Sequence, residues 1–598
     1  MRDFLKYTFA TVLGLLIFLG LSIGGLVSLV IMAVSSDTGP QVKDKSVLTF
    51  NLSLNITDSK RGSSPLAEAL VSRDEPDTIT LRSVLDAIDK ASRDPRIVGL
   101  YLYGDTEGGG TGFATLKEVR EALQRFRASG KKIVAYDVNW REREYYLASV
   151  ADTIALNPIG SLELNGLSSE MMFLAGALKK YGIGIQVTRV GKYKSAVEPL
   201  LLTKPSPANR QQTEALLGDL WKEFLTETGK NRNLTAPRLQ TIADNQGVLM
   251  ADEALKSRLI DRVAYLDEVV TDLKKLTDSK EKDKSFRQIS LKSYARVAED
   301  ALEKERNSTN KIAVVYAEGE IVNGEGGDGE VGGDRLAKQL RQIRQNKTIK
   351  AVVLRVNSPG GSVTASEVIQ REVILTRKEK PLVVSMGSVA ASGGYWISTY
   401  SDRIFAEPNT ITGSIGVFGV LPNIQKLANN NGITWDVVKT GRFADTFTIS
   451  RPKTPQEIAL IQRSVDIFYN EFLTKVSESR KLAKPKVAEI AQGRVWSGQR
   501  AKAIGLVDEL GGMDAAIQDA AKRAKLGDDW ELEEYPKARS FEERLFGKLV
   551  GDQVFSKSSQ VNPLTTEFKK LQVDLKTLQL MNDPLGVYAR LPFNFRID

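Results

Sequence analysis

The chain has 598 residues, 42% apolar and 26% charged; a typical domain uses about 150, so more than one hydrophobic core is expected. It contains neither cysteine nor histidine, which excludes disulfides, thiolate nucleophiles, Cys-ligated zinc or iron–sulfur centres, Ser-His-Asp triads and His-ligated metals. Proton transfer is left to Lys, Asp, Glu and Tyr. The net charge of +9 is spread over interleaved acidic and basic residues without a long basic tract, which argues against nucleic-acid binding.

Taken in chain order, the first element is apolar. Tyr7 to Val34 is a stretch of 28 uncharged residues, longer than the roughly 20 needed to cross a bilayer and the roughly 7–15 of a cleaved leader. It reads as a retained transmembrane helix, 7–34. Arg2 and Lys6 precede it, so by the positive-inside rule the chain beyond it lies outside the cytoplasm.

Next come two copies of one unit, placed at 47–275 and 311–526. At a constant offset of 250, Tyr145 meets Tyr395, Asp152 meets Asp402, Ile154 meets Ile404, Gly166 meets Gly416 and Gly191 meets Gly441. Leu259-Ile260-Asp261 echoes Leu506-Val507-Asp508 at offset 247, a drift that loop indels produce. The charged stretch 276–310 reads as a helical or flexible connection. In the second copy, Ile312–Tyr316, Ala351–Val356 and Pro381–Ser385 read as buried parallel strands, with helical spacing from Thr364 to Lys378 between the last two. Such βαβ units predict an α/β layer. Residues 527–598 form an appendage with no legible role, in which Glu531–Glu534 reads as solvated surface and Glu567–Leu571 as a short helix. No metal site is expected there or elsewhere.

Two loops of the second copy suggest chemistry. The strand ending at Val356 runs into Asn357-Ser358-Pro359-Gly360-Gly361-Ser362, and consecutive glycines let backbone N–H groups approach a substrate carbonyl as an oxyanion hole requires. A plain Pro-Gly-Gly turn would look the same. The second loop sets Ser392 among tiny residues at a strand-to-helix junction. There Ala390-x-Ser392-x-Gly394 approximates a nucleophile elbow with its first glycine replaced by alanine. Close helix–sheet packing is the competing reading.

A serine nucleophile without histidine needs a lysine held neutral by burial. Moving a lysine from about 10.4 to near 7 costs about 4.6 kcal/mol, so the site must be dry. The repeat singles one out. Lys194, in Gly191-Lys192-Tyr193-Lys194-Ser195-Ala196-Val197-Glu198-Pro199, falls opposite Ala444, while Ser392 falls opposite Glu142. Each copy lacks what the other keeps. Ser279-x-x-Lys282 and Ser308-x-x-Lys311 match a Ser-x-x-Lys pattern, but both lie in or beside the charged stretch, where desolvation fails. Gly324–Gly329 spells Gly-x-Gly-x-x-Gly, yet Glu325, Asp328 and Glu330 would repel a pyrophosphate, so it reads as a loop near the site entrance.

At Arg189–Pro199, Ser358–Gly361, the Ser392 loop and Thr412–Val417, the chain resembles the signal peptide peptidase A family, also called protease IV, in its long duplicated form. The resemblance spans nearly the whole chain. It implies an α/β fold of two tandem ClpP/crotonase-like repeats after the transmembrane helix, with Ser392 as nucleophile, Lys194 as general base and Ser414 orienting the lysine. The N–H groups of the Gly360, Gly361 and Gly393 regions are expected to hold the oxyanion during acyl transfer to water. The resemblance also implies a single-pass protein of the bacterial inner membrane with its catalytic part on the extracytoplasmic side. It would need no cofactor, degrade released signal peptides, and form a bowl-shaped homotetramer open toward the membrane. Two rival functions are a noncatalytic membrane scaffold that holds peptides and an acyl-CoA enzyme of the crotonase type. Neither requires the Ser392 and Lys194 pair.

Overall fold

Runs rich in valine, isoleucine and leucine form parallel strands in each copy and are buried on both faces. The computed structural model describes residues 41–59, 78–104, 111–305, 308–536 and 587–591, with isolated Tyr7 and Gly14. The span expected at 7–34 otherwise lies outside the described residues, as does the helix expected at Glu567–Leu571. Among the described residues no helix is long and apolar enough to cross a membrane.

The first sheet runs Gln288–Ser290, Ser46–Asn51, Ile97–Tyr103, Lys132–Trp140, Thr153–Leu164, Gly247–Met250, with Arg262–Val263 also paired to Thr153–Leu164. The second runs Val495–Ser497, Ile411–Gly413, Leu382–Ala391, Ile349–Ser358, Lys311–Glu318, Glu531–Tyr535. The three predicted strands of the second copy are all present, and the helix between the last two spans Val363–Glu379, capped by Ser362 Oγ accepting the Ala365 N–H. The fold is therefore mixed α/β in two copies.

The duplication extends to single hydrogen bonds. Tyr145 Oη donates to Leu259 O, and Tyr395 Oη to Leu506 O. Asp152 and Asp402 accept the N–H of Ile133 and of Leu382, each at the start of the equivalent strand. Asp261 pairs with Arg232 as Asp508 pairs with Arg480. The helices Pro207–Arg232 and Pro455–Arg480 that carry those arginines are each 26 residues long.

Two stretches differ from expectation. The charged connection 276–310 is helical at Leu291–Glu305, as one reading had it, but it also contributes the strand Gln288–Ser290, parallel to Val47–Thr49 at the edge of the first sheet. Glu531–Tyr535 is an edge strand rather than free surface: Tyr316 Oη donates to Glu534, and Lys311 pairs with Glu533 at 2.9 Å. The adjacent Glu533 and Glu534 thus meet a cationic and a hydroxyl partner, which offsets the charge repulsion along this acidic run.

The halves are joined through buried charge. Arg355 Nε lies 2.7 Å from Asp58 and its Nη2 lies 2.6 Å from Glu118, with all three side chains inaccessible to solvent. Removing one member of such a cluster costs about 3–5 kcal/mol, because the remaining charges stay buried and unmatched. A third sheet also crosses the boundary. Its order is Glu330–Gly332, Glu320–Val322, Gly360–Ser362, Val587–Arg590, Phe418–Asn423, Gly184–Arg189, so it draws on both copies and on the carboxyl-terminal segment.

Candidate active site

Ser392 follows the central strand Leu382–Ala391 and caps the helix Gly393–Ser398. Its backbone sits at φ +56° and ψ −113°, a strained conformation for a residue with a side chain, costing about 1–3 kcal/mol. Two features hold it there. The Ser392 N–H donates to Gly413 O at 2.8 Å, and Gly394 packs so closely that a side-chain carbon added there would stand 2.6 Å from Ser358 O. The turn that results aims the hydroxyl out of the sheet.

Lys194 reaches Ser392 from the other copy. The strand Gly184–Arg189 pairs antiparallel with Phe418–Asn423, which carries the following segment across the boundary. The segment is then pinned: Tyr193 N–H donates to Gln492 O at 3.0 Å, and Gln212 Nε2 donates to Tyr193 O at 3.1 Å. Gly493, at φ +76°, passes directly over the lysine; a side-chain carbon there would lie 2.6 Å from Lys194 Cβ, so only glycine fits.

Lys194 Nζ lies 2.8 Å from Ser392 Oγ, 3.1 Å from Ser414 O and 3.1 Å from Ser414 Oγ. A neutral amine has one lone pair and two N–H groups, and these three neighbours match them: the lone pair faces the Ser392 hydroxyl and the two N–H groups meet Ser414. Ser414 Oγ in turn donates to Gly493 O at 3.3 Å, leaving its own lone pairs for the amine. Lys194 is fully buried. Burial, and secondarily the charge of Arg590, pushes its pKa well below the ordinary lysine value, with no carboxylate offsetting the effect.

The glycines stand beside this group. A carbon added at Gly360 would lie 2.6 Å from Gly393 N, so the two loops touch. Gly360, at φ +99°, donates its own N–H to Ser358 Oγ at 3.2 Å. Gly393 opens its helix, where an N–H has no intrahelical acceptor. The structure thus gathers Ser392, Lys194, Ser414, Gly360 and Gly393 at one place, with Gly361 next in the strand Gly360–Ser362, packed against Ile321. It leaves Lys282 exposed and pairs Lys311 with Glu533, away from any such cluster.

Sequence reasoning missed Gly493, Phe418, whose ring centre is 5.9 Å from Lys194 Nζ, and the strand Val587–Arg590. None of these carries a motif. Each acts by close approach across long sequence separation, which no local pattern records.

Comparison with known proteins bears on both copies. The profile of peptidase family S49 matches residues 125–280 and 374–527, and that of Clp protease matches 303–410. "Protease 4" of Salmonella typhi is 36% identical over 524 residues, covering 85% of this chain and 83% of that protein. "Protease 4" of Haemophilus influenzae is 35% identical over 589 residues, 94% of each chain. "Serine protease SPPA, chloroplastic" of Arabidopsis thaliana is 34% identical over 457 residues, 75% of this chain and 66% of that one. The two S49 matches fall one on each copy, the first containing Lys194 and the second Ser392, and the chain is a serine peptidase that belongs to peptidase family S49.

Proposed function

We propose that this chain is a membrane-anchored endopeptidase in which Ser392 and Lys194 form the catalytic dyad, degrading released signal peptides and similar apolar peptides. The observation that carries it is the buried amine of Lys194, 2.8 Å from Ser392 Oγ, with no acidic neighbour among the described residues to keep it charged. As Ser392 Oγ attacks the substrate carbonyl, Lys194 takes its proton; Ser414 O and Oγ then hold the ammonium that forms. The N–H groups of Gly361 and Gly393 take the developing oxyanion, and Gly360 provides the room for it. Each such donor is worth about 10²–10³ in rate, and a positioned base about 10²–10⁴. Lys194 returns the proton to the leaving amine, and water attacks the acyl-enzyme by the same route. No step calls for a cofactor, and neither a peptide-holding scaffold nor an acyl-CoA enzyme accounts for a buried lysine on a serine.

Further readings rest on other observations. The uncharged run Tyr7–Val34 supports a single-pass anchor in a bacterial inner membrane, with the catalytic part on the extracytoplasmic side. The Clp protease match at 303–410 supports a ClpP/crotonase-like unit in the second copy, and the repeat extends it to the first, with boundaries at 47–275, 276–310, 311–526 and 527–598.

Assembly as a homotetramer is supported by an imbalance between the copies. Within the chain, Gly184–Arg189 of the first copy pairs with Phe418–Asn423 of the second. The repeat counterparts, 434–439 and 168–173, form no strand. Around the former, Ile433, Trp435, Val438, Phe443, Phe447 and Ile449 are exposed. A second copy offering its 168–173 to this 434–439 would close the same contact between chains, and repetition builds a ring.

Labelling by a fluorophosphonate tests the dyad. The wild type should be labelled at Ser392 and the Ser392→Ala variant should not; equal labelling of both would overturn the assignment.

A further inference from the structure

Lys194 is placed by its main chain before its amine can be placed. The residue precedes the short helical turn Ser195–Val197 at φ −76° and ψ 76°, outside the helix and strand wells, so its position depends on contacts rather than on a regular element. One side chain makes such contacts on both sides. Gln212, buried on the helix Pro207–Arg232, shares its two amide N–H groups among Tyr193 O at 3.1 Å, Ser195 Oγ at 3.0 Å and Asn209 Oδ1 at 3.2 Å. Its Oε1 accepts the N–H of Val495 at 3.3 Å, just beyond the Gly493 that passes over the lysine. A single amide thus ties the residues before and after Lys194 to the second-copy segment lying on top of them.

The orientation of that amide is set in turn. Glu198 is fully buried and all its partners donate: its Oε1 takes the hydroxyl of Ser206 at 2.6 Å, and its Oε2 takes the N–H of Ser206 and Asn209 Nδ2, each at 3.0 Å. With its Nδ2 on the carboxylate, Asn209 turns its Oδ1 toward Gln212, and Gln212 must answer with Nε2 rather than Oε1. The second copy lacks this arrangement. Its helix Pro455–Arg480 aligns with Pro207–Arg232 at an offset of 248, as Glu471–Thr474 does with Glu223–Thr226, which sets Leu460 opposite Gln212 and Glu457 opposite Asn209. Leu460 is exposed, and Glu457 pairs with Arg451 at 2.7 Å. The two amides are present in the copy that keeps the lysine and missing from the copy that holds Ala444.

We infer that Gln212 is the positioning residue of the general base: oriented by Glu198 through Asn209, its amide clamps the main chain on both sides of Lys194 and locks it beneath Gly493. The inference rests on the dyad proposed above. A lysine has a four-carbon stem with many rotamers, so fixing its main chain decides whether Nζ stays on Ser392 Oγ or drifts from it. The same clamp keeps the site dry. Once the segment is loosened, water reaches the amine and restores part of its hydration, which favours the ammonium form. The charged groups around this segment are Arg590, whose charge acts on Lys194, Lys192 and Arg494, which stand 5.1 and 5.0 Å from the ring centre of Tyr193, and Glu198, held by Ser206 and Asn209. None of them bonds to Gln212, so a change at Gln212 acts on the amine through position and hydration and not through a lost charge.

The pH profile of kcat/KM, together with kcat and KM on its plateau, tests this on the full chain with an internally quenched apolar peptide. Gln212→Leu, which installs the side chain that the second copy carries, should lower kcat about 10²-fold with KM little changed, and should move the ascending limb up toward the ordinary lysine range. Asn209→Ala touches neither Tyr193 nor Ser195 and only frees the Gln212 amide to turn; it should do both to a smaller extent, and it carries the test if Gln212→Leu does not fold. Tyr145→Phe removes a different buried hydrogen bond, to Leu259 O, and should weaken resistance to urea without moving the limb. A limb that stays in place in Gln212→Leu, or that moves equally in Tyr145→Phe, overturns the positioning role and leaves the dyad standing. A shift in Gln212→Leu but none in Asn209→Ala keeps the clamp and overturns its orientation by Glu198. Activity that persists in Lys194→Ala refutes the dyad and this inference with it.

Discussion

The two copies differ at both positions of the Ser392–Lys194 pair. Where the second holds Ser392, the first holds Glu142, and its Oε1 accepts the N–H of Asn165 at 2.6 Å and of Gly166 at 3.2 Å. Their counterparts are Ile415 and Gly416, and in the second copy Ser392 Oγ stands 3.5 Å from Gly416 O, open to the lysine. The carboxylate has closed the first copy's site with its own hydrogen bonds, although burial raises its pKa. The lysine position shows the reverse: Lys194 is buried against the other copy, while Ala444 lies in an exposed turn. One active centre is thus assembled from two incomplete ones, and the arrangement needs the copies held in register by contacts such as Arg355 with Asp58 and Glu118.

Substitutions sharpen that contrast. Ser392→Ala should abolish peptide hydrolysis altogether, measured with an apolar peptide on protein whose fold is verified by circular dichroism. Lys194→Ala should lose about 10³-fold or more in kcat, and Lys194→Arg should not rescue it, because a guanidinium stays charged. Ser414→Ala removes one acceptor from the ammonium that forms in the transition state. A hydrogen bond to a charged group is worth about 1.5–3 kcal/mol, so kcat should fall about 10–100-fold with KM little changed. The smallest effect on turnover belongs to the first copy. Glu142→Ala should leave kcat/KM unchanged yet reduce stability to urea by about 1 kcal/mol, since the Asn165 and Gly166 N–H groups lose their acceptor at a partly exposed site. A loss of activity there would mean that Glu142 does more than close a vacant site.

Legibility in the sequence follows from how local each signal is. Lys311–Glu318, Ile349–Ser358 and Leu382–Ala391 stand out because parallel strands covered on both faces are apolar without alternation. The pairing of Lys194 with Ser392 is legible only because the repeat lays one copy over the other; nothing within either segment points across the 198 residues between them. Gln288–Ser290 has three residues, too few for a period, and it sits in a charged stretch that reads as a connector. The third sheet is invisible for another reason. Gly184–Arg189 is a half-buried strand whose partner, Phe418–Asn423, belongs to the other copy, so its pairing is a property of the docked halves. Gly493 likewise acquires its role only when Lys194 arrives beneath it.

The pH dependence of kcat/KM reads the protonation state of Lys194 itself. The active form of Lys194 is the neutral amine, so protonation on lowering the pH removes the base and the rate must rise with pH through the lysine's own pKa. Because burial depresses that pKa, the ascending limb should lie well below the roughly 10.4 of an ordinary lysine. It should disappear with the activity in Lys194→Ala. A rate that climbs only near the ordinary lysine value, or the same limb persisting in a folded Lys194→Ala variant, would refute a dyad built on a buried neutral amine.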